Sequence, residues 1–362
     1  MNILYVSSKK RWGGVTGWMA RTAARLGERG HKVVILSHPD SKLNRSDTGS
    51  LRIIPKKLGW IFNPFMILGV AEIIKREKID IVLTNIDKEI GIGGAAARIR
   101  GIPNIRRVGS EYDFNDRPRT RLTHKLLVSG CIVPCDWLVE ASIKRAPWLD
   151  TDEFTTIHNG RNPALKDPAR VARRREEWGI RPGEKVIGMT CQLIAVKRAG
   201  DLIEIYDRLR PVHPGWKLVI AGEGPELDEL VRARDFRSLG DNVVFAGFTD
   251  DPVFTASCYD ICAFVSSREG FPNTIVEYFA SGKPVVSTNV GGVGEIVRDG
   301  FNGFTAEFGD LPAFEKKLLR LMEDEMLRNS MGANALRTLE ERFTADMMID
   351  KLEKYFLEQV KG

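Results

Sequence analysis

The sequence predicts an α/β protein made of two parallel-sheet domains, and three observations lead there. Short runs rich in β-branched residues alternate with helix-length stretches through both halves, the pattern of parallel sheets covered on both faces. A chain of 362 residues is long enough to bury two separate cores. The alternation breaks once, where Pro163 and Pro168 stiffen a segment that reads as a linker.

In the first half, residues 2–7 read as a buried strand. The glycine-bearing loop Lys9-Lys10-Arg11-Trp12-Gly13-Gly14-Val15 follows, then a helix over about 16–29 closed by Gly30. Residues 31–37 give the next strand. This βαβ opening lacks G-x-G-x-x-G, and no acidic residue ends its second strand, so a dinucleotide-dependent dehydrogenase is disfavoured.

Residues 56–65 mix lysines with Trp60, Phe62 and Phe65 ahead of a helix over 65–77. Such a segment suits a membrane interface, with lysine at anionic headgroups and tryptophan at the boundary. The alternative is a core-facing helix with a solvated basic flank. Residues 80–84 and 104–108 are further strands, separated by a small-residue helix over 91–100. Then come Gly109-Ser110-Glu111-Tyr112-Asp113 and a group of bases, Arg117, Arg119, Arg121 and Lys125. That group is either a phosphate or carboxylate clamp or a solvated helix face. Residues 136–139 and 155–158 read as the last strands of this half.

The second half opens with a strand over 185–190 and the loop Cys191-Gln192-Leu193-Ile194-Ala195-Val196-Lys197-Arg198. A strand over 217–221 ends in Gly222-Glu223-Gly224-Pro225, and one over 242–247 in Phe248-Thr249-Asp250. Residues 311–323, 325–342 and 347–360 read as helices, the last with Met347, Leu352, Phe356 and Val360 at helical spacing.

Between them lies the stretch around which the chain is organised. A strand over 261–265 runs into Ser266-Ser267-Arg268, a turn at Glu269-Gly270-Phe271-Pro272, a helix over 273–280, a stop at Ser281-Gly282-Lys283, and a strand over 284–287. Pro272 suits the first position of the helix, since it has no N–H to leave unpaired. Free N–H groups at the start of such a helix hold phosphate or sugar oxygens. Glu277 lies about one turn in, within reach of a ligand's hydroxyls, and Glu269 in the loop faces another part of the same ligand. Two isolated glutamates would equally fit a satisfied loop carboxylate and a solvated helix face.

Composition narrows the remaining choices. With 43% hydrophobic and 28% charged residues the chain reads as soluble and globular. Its opening apolar run is followed by positive charge rather than preceded by it, unlike a secretory signal, and no apolar stretch reaches membrane-spanning length. The five cysteines follow no metal spacing, which suggests reduced thiols and a cytoplasmic setting; Cys258 and Cys262 read as packing residues. The net charge of +6 divides unevenly: residues 1–166 hold 28 Lys+Arg against 16 Asp+Glu. A basic first half suits an anionic partner, whether nucleic acid, anionic lipid or a phosphorylated acceptor. No nucleic-acid recognition motif accompanies it, so nucleic acid is not expected.

The full string 266–304 carries a resemblance. Glu269 and Glu277, with Gly-Phe-Pro after the first and Ala-Ser-Gly-Lys-Pro-Val-Val after the second, resemble the E-x7-E element of retaining glycosyltransferases. Gly291-Gly292-Val293-Gly294-Glu295 and Asp299-Gly300-Phe301-Asn302-Gly303-Phe304 look like the trailing G-G-x-x-E and D-G-x-N-G-x stretches. The family resembled is glycosyltransferase family 4. Ile157-His158-Asn159-Gly160 is similar to its I-x-N-G signature, and Gly222-Glu223-Gly224-Pro225 to its G-x-G-P turn.

The resemblance implies the GT-B fold, two Rossmann-like parallel-sheet domains facing each other across a cleft. Residues 1–163 would bind acceptor, with helix 345–362 packing back on them, and residues 164–344 would bind donor. It implies retaining transfer of a sugar from a UDP- or GDP-linked donor to a hydroxyl of a saccharide or lipid-linked acceptor. Envelope polysaccharide or lipopolysaccharide synthesis is the expected setting, with peripheral contact at the inner face of the cytoplasmic membrane. Glu269 and Lys197 would be catalytic. Glu277 would hold the ribose, and Gly270, Phe271, Asn273, Thr274, Gln192, Arg198, Gly222 and Phe248 would line the donor. Gly13, Gly14, Ser110, Glu111 and Arg117 would lie on the acceptor side. The donor is a substrate, and neither a cofactor nor a metal is expected.

Three positions depart from the family pattern, and the first is Cys191, which falls in the place of the glycine of its G-R-L-x-x-x-K loop. Gln192 stands where an arginine grips the diphosphate, and an amide cannot form the arginine fork. Val108 stands where a histidine commonly precedes Gly109. A degenerate, non-catalytic nucleotide-sugar binder therefore stays open, as does another GT-B enzyme such as a sugar-nucleotide epimerase.

Overall fold

The structure is a computed structural model that describes residues 1–10, 13–45 and 51–361; Arg11 and Trp12 of the first loop lie outside the described residues. It divides into two compact units, residues 1–158 with 346–362, and residues 159–345.

The first unit holds a parallel sheet of seven strands: β1 (Asn2–Val6), β2 (Lys32–Ser37), β3 (Arg52–Pro55), β4 (Ile81–Thr84), β5 (Asn104–Arg107), β6 (Gly130–Val133) and β7 (Phe154–Thr156). Their order is β3-β2-β1-β4-β5-β6-β7. Strand β1 is apolar at nearly every position because both faces of the sheet are covered. On one face Ile3, Tyr5 and Ile105 pack with Trp18 and Met19 of helix Gly14–Glu28 and with Ile349, Leu352 and Phe356 of helix Ala345–Lys361. On the other, Leu4, Val6 and Val82 pack with Val70 and Ile74 of helix Pro64–Glu77 and with Ile92 and Ala96. The C-terminal helix thus completes the core of the first unit. Its outer turns are tied to the same unit by Arg29, which pairs with Glu353 at 2.9 Å, and by His31, at 2.7 Å from the same carboxylate.

The second unit holds β8 (Lys185–Thr190), β9 (Trp216–Ala221), β10 (Val243–Gly247), β11 (Ile261–Phe264), β12 (Val285–Thr288) and β13 (Gly303–Ala306), all parallel, ordered β10-β9-β8-β11-β12-β13. Its main core gathers Ile187, Leu218 and Ala263 with Tyr206, Phe314 and Leu318. In both sheets the strand order reverses beside the first strand, between β1 and β4 and between β8 and β11. Ligands of open α/β sheets lie outside the carboxyl ends of strands at such a point.

Four expectations need correction. Residues 136–139 are not a strand: Asp136–Arg145 is a helix, with Asp136 in its first turn where a negative charge is favoured and Leu138 and Ser142 buried one turn apart. The sixth strand is the buried run Gly130–Val133. Pro168 does not stiffen a linker but starts helix Pro168–Glu177, capped by Asp167, whose side chain accepts from the Arg170 N–H at 2.9 Å. Pro272 caps helix Asn273–Ala280 rather than opening it. Finally, the division falls after residue 158 rather than 163, because Asn159 and Arg161 bond residues of that same helix and Arg161 also pairs with Thr344.

Candidate functional site

In the second unit the loops leaving β8 and β11 are adjacent at the strand-order reversal, and their backbones are joined. The Ser267 N–H donates to the Val196 carbonyl at 2.8 Å, and Ser266 Oγ donates to the same oxygen at 3.1 Å. This sets Lys197, from the first loop, against Glu269, from the second. The lysine ammonium donates to Glu269 Oε1, which also accepts from Ser266 Oγ at 3.0 Å. Lys197 is further held over the Phe264 ring, 5.4 Å from its centroid. The two residues expected to be catalytic therefore form one ion pair, both side chains mostly shielded, at the carboxyl end of the sheet.

Two glycines shape these loops. Gly291 has φ of +57°, and a Cβ there would overlap the Glu269 carbonyl oxygen, while the Gly292 N–H donates to the Gly270 carbonyl at 2.8 Å. The G-G of the sequence string is thus what lets the Glu269 turn sit against the next loop. Gly222, at φ of +145°, does the same for the β8 loop: a Cβ would overlap the Cys191 carbonyl oxygen. Its N–H donates to the Gly247 carbonyl at 2.7 Å, so its observed job is loop packing.

Helix Asn273–Ala280 begins directly after this turn and carries Thr274 in its first turn. Gly270 and Phe271 belong to the approach, with Phe271 buried against Phe343, ring centroids 6.2 Å apart. Asn273 Oδ1 accepts from Asn159 Nδ2 at 2.9 Å, leaving the buried Asn159 Oδ1 without a partner. Glu277 is 8% exposed and is met by a residue the sequence reading passed over. Arg161 donates to Glu277 Oε1 from Nε at 3.0 Å and from Nη2 at 2.6 Å. Glu277 Oε2 has no bond among the described residues.

The remaining donor-side candidates are more open. Gln192 is exposed. Arg198, with φ of +53°, is held by Asp201 through two bonds of 2.8 Å, so its charge is already matched. Phe248 is 64% exposed rather than core. Cys191, in the place of the family's glycine, has its thiol pushed up to about 12 by burial, which keeps it protonated and unreactive. Burial likewise raises the thiols of Cys258, to about 11, and Cys262, in keeping with packing roles.

In the first unit, Gly13 and Gly14 open helix Gly14–Glu28, and a Cβ on either would meet nothing within 4 Å. Ser110 caps the short turn Glu111–Asp113, its Oγ accepting from the Tyr112 N–H at 3.3 Å. Asp113 folds back to accept from the N–H groups of Gly109 and Ser110 at 2.7 and 3.0 Å. Arg117 is exposed at the start of helix Pro118–Leu127, and so are Arg119, Arg121 and Lys125. Val108, in the histidine's place, is buried.

The sequence reading missed Arg161 because it fell within the supposed linker, although its position directly after Ile157-His158-Asn159-Gly160 is a usable signal.

Two parallel sheets, each reversing order beside its first strand, define the GT-B fold. Residues 12–165 match the family model for Glycosyltransferase Family 4, and residues 171–338 match that for Glycosyl transferases group 1. The chain belongs to this glycosyltransferase family. It is 24% identical over 209 residues to N-acetyl-alpha-D-glucosaminyl L-malate synthase of Bacillus anthracis, covering 58% of this chain and 55% of that protein. It is 24% identical to the UDP-Gal:alpha-D-GlcNAc-diphosphoundecaprenol alpha-1,3-galactosyltransferase of Escherichia coli, covering 81% and 79% respectively. The chain spans about half the length of the first curated relatives it matches, 55% and 48%. The crystal structure of Anabaena Alr3699/HepE in complex with UDP and glucose superposes with a TM-score of 0.84 over 98% of each chain at 21% identity, which establishes the shared fold.

Proposed function

We propose that the chain is a retaining glycosyltransferase that moves a sugar from a UDP- or GDP-linked donor to a hydroxyl of a saccharide or lipid-linked acceptor, in envelope polysaccharide or lipopolysaccharide synthesis. The observation that carries this reading is the Lys197–Glu269 pair with Ser266 at the carboxyl end of β8 and β11, followed by a helix that carries Glu277 one turn in. In the reaction the bond from the anomeric carbon to the diphosphate oxygen breaks and a bond to the acceptor oxygen forms on the same face. The acceptor's proton leaves with the diphosphate. Negative charge grows on the departing oxygen, and Lys197 together with the N–H groups at the start of helix Asn273–Ala280 meets it without a required metal. Glu277 Oε2 accepts from ribose hydroxyls, and Arg161 holds the carboxylate in place from its other oxygen.

Work on lipid-linked acceptors at the inner face of the cytoplasmic membrane fits the first unit. Among the described residues no helix is long and apolar enough to cross a membrane. Trp60, Phe65 and Leu68, however, are 63%, 84% and 61% exposed at the start of helix Pro64–Glu77, beside the exposed Lys57. Such a face suits an interfacial contact with anionic lipid.

The test is a panel of nucleotide sugars followed by thermal stabilisation and by release of nucleotide diphosphate. One donor is expected to raise the Tm saturably and to release diphosphate slowly. Absence of stabilisation by every uridine and guanosine donor would overturn the reading.

A further inference from the structure

Strands β8 and β11 flank the strand-order reversal of the second sheet, and their pairing stops early. They face each other only at Ile187 with Ile261 and at Gly188 with Cys262. Strand β8 nevertheless stays paired with β9 through Thr190, and β11 with β12 through Phe264. The alternation of backbone groups shows what the next rung would be. The Cys191 N–H donates toward β9, to the Ala221 carbonyl at 3.0 Å, so the Thr190 N–H faces β11. The Cys262 N–H donates toward β12, to the Pro284 carbonyl at 3.0 Å, so Ala263 faces β8. Carried one step further, the register would join the Thr190 N–H directly to the Ala263 carbonyl.

The Tyr278 hydroxyl lies in that rung instead. It accepts from the Thr190 N–H at 2.8 Å and donates to the Ala263 carbonyl at 3.3 Å. A hydroxyl can serve both groups because it is donor and acceptor at once. The side chain is fully buried, and burial pushes the hydroxyl well up from the ordinary tyrosine value, so the proton needed for the second bond is kept. Tyr278 follows Glu277 in helix Asn273–Ala280, so one helix turn carries both the carboxylate held by Arg161 and the hydroxyl that sits between the strands. The exit loop of β8 starts one residue after Thr190 and leads to Lys197, and that of β11 leads from Val265 to Glu269. Further out, the Ser267 N–H to Val196 carbonyl bond and the Lys197–Glu269 pair join the two loops. The gap between the strands is thus bridged at its base by one hydroxyl and beyond it by the loops' own contacts.

We infer that Tyr278 is a positioning residue: its hydroxyl holds β8 and β11 one oxygen apart at the strand-order reversal, and so sets the spacing of the Lys197 and Glu269 loops for the transfer step. Only the transfer step rests on the glycosyltransferase reading; the wedge stands on the geometry of the second unit. Without the hydroxyl, the Thr190 N–H and the Ala263 carbonyl either close on each other or stay unpaired in the interior. Either way the bases of both loops shift.

The experiment compares the full-length wild type with Tyr278→Phe and Tyr259→Phe. Tyr259 is the control: it is equally buried, but its hydroxyl lies 2.9 Å from Thr190 Oγ1 rather than in the ladder. Amide hydrogen exchange is read residue by residue. In the wild type, Thr190 should exchange at least a hundredfold more slowly than Gln192, a measurement that needs no variant to fold. In Tyr278→Phe, exchange should change at least tenfold across 191–198 and 265–272 and stay within threefold in the first unit. Turnover is read as nucleotide diphosphate release from the donor that stabilises the wild type, and affinity with UDP and GDP as probes. Tyr278→Phe should lower kcat at least tenfold while nucleotide affinity stays within threefold; Tyr259→Phe should keep both within threefold, whatever its loss of Tm. Fast exchange at Thr190 in the wild type, loop exchange that Tyr278→Phe leaves unchanged, kcat of that variant within threefold, or an equal fall in Tyr259→Phe would each overturn the inference. Altered exchange confined to the two loops of Tyr278→Phe, in a chain that releases no diphosphate from any uridine or guanosine donor, would instead sink the transferase reading and leave the wedge standing.

Discussion

Arg161 holds Glu277 by one oxygen only, with Nε at 3.0 Å and Nη2 at 2.6 Å from Oε1, and leaves Oε2 without a bond among the described residues. Both side chains are 11% exposed. A pair this shielded behaves as a unit: removing one partner strands the other's charge. Arg161→Met is therefore expected to lower stability by about 3 kcal/mol, the lower end of the range for broken buried pairs because solvent still reaches this one. Arg161→Met combined with Glu277→Leu should recover part of that loss, which denaturant titration of the single and double variants checks.

The unbonded oxygen makes a separate claim about donor binding. Replacing a carboxylate that accepts ribose hydroxyls removes hydrogen bonds of about 1.5–3 kcal/mol. Glu277→Gln should thus lower UDP affinity by roughly ten- to a hundredfold, measured by calorimetry on protein shown to be folded. A folded Glu277→Gln protein that binds UDP as tightly as wild type would remove the ribose role.

Lys197 and Glu269 are coupled through a direct ion pair, with Ser266 as a third member. Charge on the leaving diphosphate is greatest in the transition state, so the lysine contributes there more than in the ground state. Lys197→Met is expected to reduce kcat by about a hundred- to a thousandfold, with a smaller loss of UDP affinity. Steady-state kinetics beside UDP binding separates the two. Turnover within a few-fold of wild type would take Lys197 out of the chemistry.

Sequence reading succeeded where local pattern and tertiary demand coincide. The helix 273–280 was legible to the residue, as were 311–323 and 325–342, the last two capped by the side chains of Asp310 and Asp324. It failed at residues 136–139, where an apolar run of Trp137, Leu138 and Val139 fits strand and helix equally and length had to decide. The pairing of Glu277 with Arg161 was out of reach for a different reason. The two lie far apart in the chain, and only the fold of the second unit brings them to one helix face.

The glycines of the 266–304 string give a test that separates backbone strain from close approach. Gly300 has φ of +77° with nothing within 4 Å of a Cβ, so Gly300→Ala should cost only the left-handed backbone penalty, about 1–2 kcal/mol. Gly291, at φ of +57°, adds overlap with the Glu269 carbonyl oxygen. Gly291→Ala should be clearly more destabilising, and it should also weaken UDP binding because the Glu269 turn must move. Equal Tm losses for the two variants would contradict the close-approach argument.

His124 supplies the pH dependence. Its ring is buried between Phe114 and Trp148, with centroids 5.5 and 5.4 Å away, and Nε2 lies 2.7 Å from Glu153 Oε2 while Nδ1 has no partner. Burial holds the imidazole below its ordinary value of 6.5; Glu153 pulls the other way without overcoming it. Above 6.5 the ring is neutral whether the chain is folded or not, and its contribution to stability is complete. As pH falls below 6.5 the unfolded chain takes up the proton first, so the contribution is lost progressively until the folded pKa is passed. Denaturation midpoints of wild type and His124→Gln measured between pH 8 and pH 5 should therefore converge as pH falls through the region just below the ordinary histidine value. A constant gap between the two proteins across that range would mean that His124 carries no proton linkage in folding.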